Sequence, residues 1–105
     1  MSAVPDRSRT LAPAPSVWCY AVDAVSEPGI LPRLMDLLAK RDLVPARWHA
    51  DRAGGRRDGA LTVDIQVDGL DPSAAEYLAA RMRQIVGVAA VLMSEKRVTP
   101  AQRRA

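Results

Sequence analysis

The chain contains no phenylalanine, one histidine and one cysteine, and aromatic residues make up 4% of it. Each shortage excludes a class of chemistry. The common RNA-recognition module with this element order stacks bases on sheet aromatics. Here the third predicted strand offers aliphatics and acids instead. A single cysteine, Cys19, permits no internal disulfide. It lies in the apolar run "VWCYAV", which predicts a buried, inert thiol. His49 and Cys19 lack a third group to orient them, so neither a Ser/His/Asp nor a Cys/His set can be assembled. No Cys-x-x-Cys or His/carboxylate cluster has metal-ligand spacing. Asp64 and Asp68 are explained as exposed strand-face carboxylates. No apolar run is long enough to span a membrane, and "MSAVPDRSRTLAPAPS" lacks the apolar core of a signal peptide. The expectation is a cytoplasmic, non-enzymatic protein without cofactor, metal, membrane or nucleic-acid partner.

The 105 residues suit one domain, and 49% apolar content predicts a packed fold. The formal charge of +3 invites a polyanion partner, so its location matters. Residues 17 to 94 hold nine basic and ten acidic residues, a net of −1. The basicity belongs to the ends, whereas a folded nucleic-acid module concentrates it on one face.

The pattern divides the chain into a flexible arm (1–16), a folded domain (17–94) and a polar tail (95–105). "VWCYAV", 17–22, reads as a strand. Pro28 and Gly29 break the chain. Ile30, Leu31, Leu34, Met35, Leu37 and Leu38 then keep helical spacing to Lys40, with Pro32 in the tolerant first turn. "LVPARWHA", 43–50, reads as a second strand, placed at an edge by Pro45. "DRAGGRRDG", 51–59, is a hairpin loop without a phosphate-binding pattern. In "ALTVDIQV", 60–67, Leu61, Val63, Ile65 and Val67 share one face. Asp71 caps a second helix with Pro72 at its first position. Its apolar face is Ala74, Ala75, Leu78, Met82, Ile85 and Val86, and Gly87 ends it. "VAAVLM", 88–93, is the last strand. The order β-α-β-β-α-β predicts an α+β, ferredoxin-like fold, with a four-stranded antiparallel sheet and both helices on one face.

That order, with "EPGIL" between the first strand and helix, resembles the ACT domain, a small regulatory module that binds amino acids and associates through its sheets. Three segments are similar to the small regulatory subunits of acetolactate synthase, most of all the type II isozyme: "SEPGILPRLMDLLAKRDL", "ALTVDIQV" and "LAARMRQIVGVAAVLM". The last carries valines at 86, 88 and 91. The resemblance implies a homodimer that docks on a large catalytic subunit, which would itself hold thiamine diphosphate. It also implies a valine, leucine or isoleucine effector at the turn of Ser26, Glu27, Pro28, Gly29 and Ile30. There backbone N–H groups and the helix dipole favour a carboxylate, and Gly29 permits close approach. The other wall would come from a partner chain's second strand, near Val44. Effector-responsive relatives have asparagine at that corner, and valine removes the hydrogen bond, a loss of about 1–3 kcal/mol. Ser26, Pro28 and Gly29 are equally the residues of a plain turn into a helix. Pro45, Arg47 and Trp48 mark the second strand as the pairing edge, and Trp48 suits either an interface or a partly buried cover for the sheet. A free-standing amino-acid sensor serving another enzyme or transporter is the alternative to the regulatory subunit.

Overall fold

In the computed structural model, residues 16–97 are described; the expected arm, apart from Ser16, and the tail beyond Arg97 lie outside them. Strand β1 (Ser16–Ala24) leads through a short turn to helix α1 (Ile30–Ala39). Strand β2 (Arg47–Arg52), a single 3₁₀ turn (Ala53–Gly55) and strand β3 (Leu61–Asp68) form a hairpin. Helix α2 (Pro72–Arg83) and strand β4 (Val88–Arg97) complete the domain. The sheet order is β2-β3-β1-β4, every pairing antiparallel. This is the ferredoxin-like arrangement that the element order predicts.

The period-2 alternation sorts the sheet into two faces. Trp18, Tyr20, Val22 and Ala24 of β1 and Leu61, Val63, Ile65 and Val67 of β3 are buried together. Both helices lie against that face, α1 through Ile30, Leu34, Leu37 and Leu38, α2 through Ala75, Leu78, Ala79 and Met82. The opposite face carries Cys19, Ala21, His49, Asp64 and Leu92, in register across the strands. Cys19 is there partly exposed rather than fully buried, because it faces away from the helices.

Several expectations shift. The second strand begins at Arg47, four residues later than the apolar pattern suggests. The Leu43 N–H closes the end of α1 by donating to the Leu38 carbonyl, and Pro45 has no N–H, so sheet pairing starts with Ala46 N–H to the Gln66 carbonyl at 2.7 Å. Pro45 therefore precedes the strand instead of sitting in it, although β2 is an edge strand as expected. Met35, Ala74 and Val86 are exposed, since each helix covers the sheet with only one stripe. The last strand runs on through Glu95, Lys96 and Arg97, residues assigned by their polarity to the tail. Polarity misleads there because these three still pair with Trp18, Val17 and Ser16. The register slips between Asp23 and Ala24 where Ala89 is skipped. That bulge puts Val88 and Val91, three residues apart, on the same covered face.

Two polar anchors fix α2 on the sheet. The Tyr20 hydroxyl donates to the Ala75 carbonyl at 2.8 Å in the core, and the Trp18 indole N–H donates to the Leu70 carbonyl at 3.0 Å. Asp71 caps the helix by accepting from the Ala74 N–H at 2.8 Å, with Pro72 in its first turn, as the sequence predicts. Gly87 closes the second crossover with φ of +99°. A Cβ there would stand 2.8 Å from Ile30 Cδ1 and 3.0 Å from Val25 Cγ2.

Gly87→Ala combines left-handed strain with a clash in the core. It is expected to destabilise the domain by at least ~1–3 kcal/mol, read from the urea midpoint. Burial pushes the Tyr20 phenol from 10.0 up to about 12. The neutral phenol is the form the fold favours, so its contribution is complete below pH 10 and is lost as pH rises towards 12. Unfolding titrations should show that alkaline loss in the native protein and a shallower one in Tyr20→Phe. The variant itself costs about 0.5–1.5 kcal/mol at neutral pH.

Candidate functional site at the turn before the first helix

β1 is held on both sides by β3 and β4, so the turn leaving Ala24 is fixed at its start. The Val25 N–H donates to the Gly87 carbonyl at 2.9 Å, tying this turn to the one before β4. From Glu27 to Arg33 the backbone donors can be counted one by one. Glu27 N–H donates to the Val25 carbonyl, Ile30 N–H to the Glu27 carbonyl and Arg33 N–H to the Gly29 carbonyl. Pro28 and Pro32 have none. Gly29 and Leu31 keep free N–H groups among the described residues. The helix start thus offers two backbone donors to an anion, fewer than an uninterrupted first turn would.

Gly29 has ordinary helical angles, φ −78° and ψ −10°. The space it leaves is occupied by the Arg33 guanidinium, whose Cζ stands 3.3 Å from where a Cβ would be. The close approach at this glycine is therefore made by the chain's own arginine. Ile30 is fully buried and packs in the core, so its side chain faces no ligand.

Ser26, Glu27 and Pro28 are exposed and line a groove of about 440 Å³ with Leu31. Its opposite wall is the β2–β3 hairpin, contributing Ala50, Asp51, Arg52, Arg57 and Leu61. The sequence drew attention to the turn but assigned nothing to Arg52 and Arg57. The hairpin sequence carries no phosphate-loop pattern, and its relation to the turn exists only in three dimensions. Val44 is 81% exposed and follows the far end of α1. Ten helical residues at 1.5 Å each put that end about 15 Å from the turn, so one chain does not bring Val44 to the groove.

The three residues marked as a pairing edge separate. Pro45 lies outside the strand, and Arg47 is exposed in the register position of the open face. Trp48 pairs with Ile65 on the covered face, half-buried against the core. It covers the open flank of the sheet beside the helices. Among the described residues no group of three or more His, Cys, Asp or Glu side chains has metal-binding geometry. Nor, among those residues, is any helix long and apolar enough to cross a membrane.

The model of one protein family, the ACT-like domain, matches residues 13–99. No curated protein matches the chain. Among solved structures, the crystal structure of the ACT domain from GTP pyrophosphokinase of Chlorobium tepidum superposes with a TM-score of 0.64 at 14% identity, covering 76% of this chain and 99% of that one. The solution structure of the C-terminal domain of the MgtC protein from Mycobacterium tuberculosis gives 0.62 at 18% identity, covering 82% and 93%. At these identities the likeness establishes the fold.

Trp48→Ala removes a half-buried aromatic. It should lower unfolding stability by roughly 1–3 kcal/mol, below the ~3–5 kcal/mol of a fully buried tryptophan. Chemical denaturation at low protein concentration measures this packing term separately from association.

Proposed function

Because the chain belongs to the ACT-like domain family, matched over residues 13–99, we propose that it is a non-catalytic regulatory module that senses an amino acid at the turn between β1 and α1. The observation that carries this reading is the groove beside Ser26, Glu27 and Pro28, within the ~300–1,000 Å³ of small-molecule sites. Apolar walls from Leu31 and Leu61 suit an aliphatic side chain such as that of valine, leucine or isoleucine. In the finer reading the module works as a homodimer. It docks on the large catalytic subunit of an acetolactate synthase in the cytoplasm, and that subunit carries thiamine diphosphate. The sequence segments around "EPGIL" and the valine-rich last strand support that partner. Leu92, 71% exposed on the helix-free face, and the two sheet edges left unpaired among the described residues support association of the chain with a second protein surface.

The test is thermal unfolding of the purified chain against a panel of amino acids, followed by gel filtration with the acetolactate synthase catalytic subunit. An amino acid at a hundred times its dissociation constant should stabilise by about 2.7 kcal/mol and raise Tm by roughly 10 °C or more. Co-elution and a rise in synthase activity are the expected outcomes with the catalytic subunit. Amino-acid binding without co-elution would replace the subunit role with that of a free-standing sensor for another enzyme or transporter. Absence of both would overturn the regulatory reading.

A further inference from the structure

We propose that the β2–β3 hairpin of the same chain supplies the second wall of the amino-acid site, with Arg52 and Arg57 gripping the ligand's α-carboxylate and Glu27 facing its ammonium group. This rests on the amino-acid-sensing reading above and replaces the partner strand near Val44 as the source of that wall.

The charges of the hairpin are unequal in their commitments. Arg56 is engaged with Asp58 through two contacts of 3.3 and 3.4 Å. Arg52 reaches only the Gly55 carbonyl, at 3.5 Å, and Arg57 has no hydrogen-bond or ion-pair partner among the described residues. Both line the groove. The register explains why Arg52 does so: it pairs with Leu61, and Ala50 with Val63, all on the helix-covered side of the sheet. β2 is the edge strand, so among the described residues nothing of the sheet lies beyond these positions. On the carboxylate side, Asp51 is taken by the Thr62 hydroxyl at 2.9 Å. Glu27 is exposed and carries no ion pair among the described residues.

The groove thus has two cations on one wall beside Asp51, which is already engaged by Thr62, the free carboxylate of Glu27 on the other, and apolar carbon from Pro28, Leu31 and Leu61 beside them. A free amino acid with an aliphatic side chain matches all three. Guanidinium groups suit a carboxylate because they donate in a planar fork. A peptide cannot present both charges on one carbon, and a simple aliphatic acid or amine presents only one. A phosphate ester would use the arginines but meet Glu27 with like charge.

The experiment titrates L-leucine, 4-methylpentanoate (leucine without its amino group) and 3-methylbutylamine (leucine without its carboxylate) into the full chain by calorimetry. The wild type should bind leucine and each truncated analogue at least about tenfold more weakly. In the Arg52→Gln/Arg57→Gln double variant, leucine should weaken by at least about tenfold while the amine is unaffected, so the preference for the carboxylate disappears. Circular dichroism and Tm confirm that the variant is folded; both arginines are exposed, outside the core. Leucine binding unchanged in the double variant overturns this assignment and leaves amino-acid sensing standing. A wild type that binds none of leucine, valine and isoleucine overturns both. Inorganic phosphate that binds more tightly than leucine, and is lost in the double variant, overturns the zwitterion in favour of an anion site.

Discussion

Strand β1 has to satisfy two neighbouring strands along its edges and two helices on one face, and this constraint sets the rest of the domain. Its hydrogen bonds run to β3 on one side and β4 on the other. Two of its inward side chains, Trp18 and Tyr20, carry polar tips between the sheet and α2. Each tip is used to hold a specific carbonyl, of Leu70 and of Ala75, on either side of the α2 cap. A slip of β1 by one residue would turn both aromatics to the open face and break both bonds to the start of α2. The register of the sheet and the seat of α2 are therefore one decision. The place where the chain leaves β1, and with it the candidate ligand turn, follows from that decision.

The same arrangement explains what could be read from the sequence and what could not. "ALTVDIQV" announces its burial by alternation because one face of β3 meets the core and the other does not. Asp71-Pro72 announces a helix start because side-chain acceptor and fixed φ act locally. Residues whose fate depends on distant partners were less legible. The apolar character of Leu43 and Val44 suggests a strand, yet backbone donors decide otherwise. Met35 and Val86 are apolar and exposed because the periodicity marks a stripe without stating its width. At the site, the turn at Ser26–Gly29 was visible in the chain. The neighbouring arginines were not, since Arg52 and Arg57 meet the turn only after the hairpin folds back beside α1.

Gly29 shows how a glycine can carry more than one physical meaning. Sequence alone suggests a backbone laid bare for a visitor. In the fold its vacant position accommodates the end of Arg33, and the free backbone donors on the helix start are few. An anion placed in the groove would therefore depend on side chains as well as on the helix dipole, which acts only over the first turn. Gly87 has the opposite character. Its φ of +99° and its contact with Ile30 and Val25 make it a fixed structural joint, and that joint lies against the inner side of the same turn. The groove side and the core side of one short loop are thus supported by different glycines.

The pairing of Ser16 with Arg97 brings the first and last described residues side by side on adjacent strands. Neighbouring strands lie about 5 Å apart. A fold whose two ends meet in this way can be spliced into a loop of another protein, or hung from either end of one, without stretching either backbone. The groove would remain intact, because it is built from internal turns at some distance along the chain from both junctions. Portability between hosts is a geometric property of this topology, held in place by the outermost rungs of the β1–β4 ladder.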